Sequence, residues 1–181
     1  MDESLQTGLM ERGFSLVESL VVIALLGLML GLALPQLQQV LARSQLQAAA
    51  QAFVRDMTWA RSEALKRSLR IGVCTSSNGL VCGSQGWAGG WVVFVDDNGN
   101  GVLDGQDERL RTQSALAGVV SMASNSPHSD RLQFVFQTQG VARAAAQSLL
   151  IKSPTLEQPR LVCISMQGRA ALRPAGELLC E

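Results

Sequence analysis

The chain has 181 residues, with 15 basic and 15 acidic side chains, one histidine, four cysteines and zero formal net charge. That length holds one membrane segment and one modest globular domain of about 110 to 150 residues, and no second enzyme-sized domain. Balanced charge gives no bulk attraction to nucleic acid, and one histidine without any Cys-x-x-Cys spacing leaves zinc short of ligands.

The first element is an apolar run from Phe14 to Leu34, about 21 residues, long enough to cross a hydrocarbon core of roughly 30 Å as a helix. Glu18 lies one turn inside its start, where a charge costs about 2.5 to 3.5 kcal/mol at the bilayer centre. Such a carboxylate calls for a cationic partner. A free amine at Phe14, made by a cut after Gly13, would provide one to the Glu18 of a neighbouring copy in a helical assembly.

The stretch Arg12-Gly13-Phe14-Ser15-Leu16-Val17-Glu18 closely resembles the processing and methylation site of type IV pilins and type II secretion pseudopilins. The resemblance implies that a prepilin peptidase cuts between Gly13 and Phe14, that the new amine is methylated, and that Glu18 aids docking into a growing fibre. It further implies other pilins or pseudopilins as partners and the bacterial inner membrane as the site of anchoring. Two rival readings are a secretory signal peptide cut after Gly31-Leu32-Ala33 and a plain signal anchor. Both expect a basic start, whereas Met1 to Gly13 carries Asp2, Glu3 and Glu11 against Arg12. Neither explains Glu18 or the glycine before Phe14.

Pro35 closes the apolar run, so the helix is expected to bend there or to begin a water-exposed half. Beyond it, Leu46, Ala49, Ala50, Phe53, Met57, Ala60 and Ala64 recur at spacings of three and four, marking one apolar helical face. Arg43, Arg55, Arg61, Lys66 and Arg67 occupy other faces. A leader is therefore expected at 1–13, a transmembrane or fibre-core helix at 14–35, its amphipathic continuation at 36–69, and a β-rich periplasmic head at 70–181.

In the head, short β-rich segments separated by glycine, serine and asparagine predict strands near 70–74, 91–96, 108–113, 118–122, 131–136, 148–152, 160–165 and 169–173. The fold class is α+β: a long N-terminal helix packed on a mainly antiparallel sheet. Cys74, Cys82, Cys163 and Cys180 all follow the membrane segment, and their even number suggests two disulfides and an oxidising compartment. Three pairings are possible; proximity and loop entropy favour Cys74 with Cys82 and Cys163 with Cys180. Residues 74–90 read as a surface loop tied by the first bridge. A second loop, 125–129, holds His128, the lone histidine, as a solvated residue. Trp59, Trp87 and Trp91 read as packing residues rather than a ligand cage.

Within the superfamily, the chain is most similar to the GspH/FimT group of minor pilins and pseudopilins. The resemblance rests on Gly90-Trp91-Val92-Val93-Phe94-Val95-Asp96, on the Asn/Gly/Asp-rich turn ending in Glu108-Arg109-Leu110-Arg111, and on Leu161-Val162-Cys163-Ile164-Ser165 leading to Gly168-Arg169. Members of the group that bind DNA carry a late Gly-Arg-x-Arg motif; here Gly168 and Arg169 match it, but Ala171 stands in place of the second arginine. Arg169, Arg173 and nearby Arg160 are the candidates for phosphate contacts, with Glu177 and Glu181 weakening the local field.

Residues 96–107 fit a calcium loop of the EF-hand type: Asp96, Asn98 and Asn100 at its first, third and fifth positions, Gly101 at the sixth, Asp104 at the ninth and Asp107 at the twelfth. Asp replaces the usual terminal Glu, and a strand rather than a helix precedes the loop. The alternative is a polar hairpin without metal, using its Asn-Gly pairs for tight turns. Calcium is the one cofactor the sequence raises. No nucleophile-base pair, phosphate-binding glycine loop or His/Asp metal cluster supports an enzyme. The expected role is a structural subunit that initiates or caps a filament, with a DNA-binding pilus subunit as the alternative.

Overall fold

The computed structural model describes residues 15–125, 131–142 and 147–180. Gly13, Phe14, the leader and His128 lie outside the described residues. One helix, α1 (Leu16–Arg67), is followed by eight strands: β1 (Ile71–Thr75), β2 (Trp91–Val95), β3 (Arg109–Gln113), β4 (Ser121–Ser124), β5 (Gln133–Phe136), β6 (Gln147–Lys152), β7 (Arg160–Ile164) and β8 (Ala170–Leu172). A single 3₁₀ turn at Trp87–Gly89 precedes β2.

Helix α1 runs through Pro35 without a break, although the ring denies the Gly31 carbonyl its usual donor. The helix ends where Ser68 adopts φ 55°, a left-handed conformation that stops helical propagation. Lys66 and Arg67 in the last turn face the negative end of the helix dipole.

The chain divides into two units, residues 1–38 and 39–181. The described part of the first is helical, and Leu20, Ile23, Leu26 and Met29 in it are each more than half exposed. An 18-residue window there has a mean hydropathy of 2.5, long and apolar enough to cross a membrane.

The second unit holds the core. Leu46, Ala49, Ala50, Phe53, Met57, Ala60 and Ala64, the stripe marked by the helical periodicity, are all buried. All of them but Ala49 share one core cluster with two four-stranded antiparallel sheets, ordered β3-β2-β1-β5 and β4-β6-β7-β8. The sequence predicts one sheet; the structure has two. Local pattern marks strands but not their partners, and β5 leaves its neighbours in sequence to pair with β1 in a register that sets Val73 opposite Phe134.

Strands β1 and β2 are buried along their whole length. Ile71, Val73, Trp91, Val93 and Val95 face the helix, whereas Cys74, Val92 and Phe94 form a smaller cluster on the opposite face with Leu103 and Cys82. Covering both faces explains why Trp91–Val95 reads as a continuous apolar run rather than an alternation. Gly72 lies opposite Phe94, and a Cβ added to it would stand 2.3 Å from the Phe94 ring. In β6, covered on one face, burial alternates strictly from Gln147 to Lys152.

Candidate functional site

The N-terminal end of α1 carries the first group of candidate residues. Ser15 caps it: the Ser15 hydroxyl oxygen accepts the Val17 amide at 3.3 Å, and Glu18 follows at the third helical position. Ser-x-x-Glu before an apolar run is a capping-box pattern, which Ser15 and Glu18 supply here. Near the helix start, the dipole favours the Glu18 carboxylate. Glu18 is exposed and is the only charged residue between Phe14 and Ala42. Gly13 and Phe14, the other half of this constellation, are outside the described residues.

The four cysteines form two bridges, Cys74 to Cys82 and Cys163 to Cys180, with Cα–Cα distances of 5.6 and 5.7 Å. The first bridge fastens the 76–90 loop to β1, and the second fastens the C-terminal tail to β7. Thr75 assists the first: its hydroxyl donates to the Gly83 carbonyl at 2.5 Å, and its carbonyl accepts the Gly83 amide at 2.7 Å.

The late arginines do not form one basic patch. Arg173 pairs with Glu177 at 3.2 Å, and Arg160 donates to the Gln47 side chain. Gly168, at φ 75°, turns the chain between β7 and β8; there the Arg169 amide donates to the Ser165 hydroxyl at 3.2 Å. Of the three, Arg169 is exposed while Arg160 and Arg173 are half-buried. Ala170 and Leu172 pack toward the core, so strand alternation puts Ala171 on the outer face beside Arg169 and Arg173, a methyl where a second guanidinium would be needed.

Asp96, Asn98, Asn100, Asp104 and Asp107 share one loop between β2 and β3. Gly99 and Gly101 adopt φ 78° and 77° there, while neither asparagine takes a positive φ. Asp96 is fully buried, and its Oδ2 accepts the Gly101 amide at 3.2 Å. Asp104 Oδ2 accepts from the side-chain amides of Asn98 at 2.7 Å and Asn100 at 3.2 Å, and its Oδ1 accepts the Gln106 amide at 3.0 Å. The Gln106 bond first, then those two amides, hold its carboxyl below the usual carboxylate range. Asp107 accepts the amides of Asp97 and Asp104. No three His, Cys, Asp or Glu side chains among the described residues converge as a ready metal cage.

A buried polar cluster joins the helix to the first sheet. Asp56, 3% exposed, accepts the Trp91 indole N–H at 3.0 Å and pairs with Arg111 at 2.7 Å. The Arg111 guanidinium also lies 4.3 Å from the centre of the Trp59 ring, within cation–π range. Trp87 and Trp91 are buried against Phe53, with ring centroids 5.1 and 5.3 Å apart in edge-to-face geometry. Asp56 falls three residues after Phe53 and four before Ala60, within the apolar stripe.

Known proteins resemble this chain in sequence and fold. The family model for type II transport protein GspH matches residues 49–168, and that for the prokaryotic N-terminal methylation motif matches residues 9–34. A pilin-like protein, PilA1, from Thermus thermophilus is 32% identical over 164 residues, spanning 89% of this chain and 97% of its own. Among solved structures, the Pseudomonas aeruginosa type IV minor pilin FimU superposes with a TM-score of 0.55 at 21% identity, over 75% of this chain and 95% of that one. The minor pseudopilin EpsH of the Vibrio cholerae type 2 secretion system gives a TM-score of 0.50 at 14% identity, over 74% and 99%.

Proposed function

The chain belongs to the GspH family of minor pilins and pseudopilins, and we propose that it starts or caps a type IV pilus or a type II secretion pseudopilus. Members of this family are structural subunits that assemble with other pilins in filaments, not enzymes. In the proposed cycle, the precursor is anchored in the bacterial inner membrane by its apolar helix, with the head in the periplasm. A prepilin peptidase cuts between Gly13 and Phe14, and the new amine is methylated. The Phe14 amine of one subunit then meets Glu18 of another, and the apolar surface of residues 16–34 enters the fibre core.

The observation that carries this reading is the single carboxylate of Glu18 in the otherwise uncharged, exposed first part of α1, within the stretch matched by the methylation motif. Burying such a charge without a partner is expensive, and a filament supplies the partner. Two disulfides in the head support an oxidising compartment. DNA binding is not part of the proposal, because Glu177 and Gln47 already engage Arg173 and Arg160.

The test is intact-mass and N-terminal analysis of the mature full chain, alongside Glu18→Ala. We expect a methylated Phe14 terminus in both proteins and at least tenfold lower recovery of Glu18→Ala in sheared filaments. An uncut chain, a terminus at Leu34, or wild-type incorporation of Glu18→Ala would overturn the reading.

A further inference from the structure

We propose that residues 96–107 form a calcium site in the head, between β2 and β3. The sequence places oxygen-bearing side chains at the first, third, fifth, ninth and twelfth positions, with glycine at the sixth. Calcium takes six to eight oxygen ligands in flexible geometry, and five side chains with a main-chain carbonyl or water reach that number.

The independent observation is Asp96. Its carboxylate is fully buried; Oδ2 is held by the Gly101 amide, yet Oδ1 has no hydrogen-bond partner. Gly101 is the midpoint of the loop, so the bond to its amide aims the carboxylate into the loop. Buried polar atoms are rarely left unmatched, because they forfeit hydration without compensation. A hard cation inside the loop is a partner that a carboxylate oxygen can use and that no nearby donor replaces.

The neighbouring side chains are grouped but not yet turned toward a cation: the Nδ2 groups of Asn98 and Asn100 donate to the same Asp104 oxygen, and each asparagine Oδ1 accepts one backbone amide, from Asn100 and Val102 respectively, so a cation would require the two amides to rotate their oxygens inward. A carbonyl oxygen that accepts one hydrogen bond keeps a second lone pair for a metal. Asp107 sits at the far end, where small movements would exchange its bonds to the Asp97 and Asp104 amides for a cation.

The loop is also fastened from below. Leu103, 6% exposed, is packed among Cys74, Val92, Phe94 and Cys82, and its amide points at the Cys82 sulfur at 3.3 Å. The Cys74–Cys82 bridge therefore anchors the second half of the loop at Leu103. Two features lower the affinity. Asp107 is one methylene shorter than glutamate, and Arg70 places its guanidinium against the carbonyls of Asp96 and Asp97, at 3.3 and 2.6 Å. Together they set a dissociation constant of about 0.1 to 1 mM, the range of extracellular calcium modules.

The test uses the full chain in detergent micelles, stripped with chelator and titrated with calcium chloride by calorimetry. Thermal melting follows in 10 mM calcium, 10 mM magnesium and chelator. We expect one calcium per chain and, for a dissociation constant near 1 mM, about a tenfold shift of the folding equilibrium in 10 mM calcium. Asp96→Asn should weaken binding at least tenfold, whereas Asp97→Asn, whose side chain is exposed, should not change it. If Asp96→Asn does not fold, Asp104→Asn carries the same comparison from the exposed half of the loop. The absence of calcium-dependent heat and melting shift in the wild type, equal binding by the aspartate-site variants, or an equal shift in magnesium would overturn the proposal.

Discussion

Replacing Asp56 by alanine should be among the most damaging single changes on the helix surface, and its cost can be worked from its two partners. Trp91 is fully buried, and its indole N–H donates to Asp56 Oδ2 at 3.0 Å. Removing the acceptor leaves a buried donor unpaired, at about 1 to 3 kcal/mol. The second partner, Arg111, is 39% exposed, so most of its charge can return to water and its loss is worth at most about 1 kcal/mol. Asp56→Ala should therefore destabilise by about 1 to 4 kcal/mol. Arg111→Ala should cost about 1 to 2 kcal/mol, including its contact with the Trp59 ring. At about 2 to 4 °C per kcal/mol for a domain of this size, Asp56→Ala lowers Tm by about 2 to 16 °C. Asp56→Asn, which keeps an acceptor for Trp91, should recover more than half of that loss. Thermal denaturation of the full chain in micelles, followed by circular dichroism, reads all three. The reasoning fails if Arg111→Ala costs more than Asp56→Ala, or if asparagine is no better than alanine.

Two further perturbations test the packing and the electrostatics of the same unit. Gly72→Ala should destabilise by about 1 to 3 kcal/mol, because its new methyl meets the Phe94 ring; Phe94→Leu should relieve part of that loss, and a strictly additive double mutant in urea unfolding would refute the contact. The Glu63 carboxyl is held below its ordinary pKa of 4.5 first by the hydrogen bond from Arg67, against burial, and further by Lys66. A depressed folded-state pKa adds stability above the unfolded value, and that contribution is lost as pH falls below about 4.5 through the folded value. Glu63→Gln should accordingly show a shallower decline of urea midpoint on acidification than the wild type, and parallel pH profiles would rule the pair out as a contributor.

Most of the elements were legible because their signals are local. All seven residues of the helical stripe between Leu46 and Ala64 are buried, and each of the eight predicted strand segments overlaps an observed strand. The fourth is displaced, from 118–122 to Ser121–Ser124, because Gly118 adopts φ 70° against the Gln45 side chain and the strand can begin only beyond that turn. The division into two sheets was not legible, since it depends on β5 reaching back to β1 and β4 pairing forward with β6. No local pattern encodes such partners.

The same distinction governs the candidate sites. Glu18 announces itself because a charge in an apolar helix is an exception that composition alone reveals, and the loop at 96–107 because its oxygen-bearing residues recur at fixed intervals. Asp56 does not, since an acid on an amphipathic helix ordinarily marks the solvated face. Its role depends on Trp91 and Arg111, 35 and 55 residues away. The sixth position of the calcium-type loop illustrates how local and distant information combine. Sequence supplies Gly101, whose positive φ lets its amide turn to Asp96. The fold alone supplies the burial that leaves the other Asp96 oxygen without a partner, and the packing of Leu103 against the disulfide that holds the loop around it. A loop of identical sequence on an open surface would keep its aspartate hydrated; in this head, burial leaves one Asp96 oxygen without a hydrogen-bond partner, which is the ground for the calcium site proposed above.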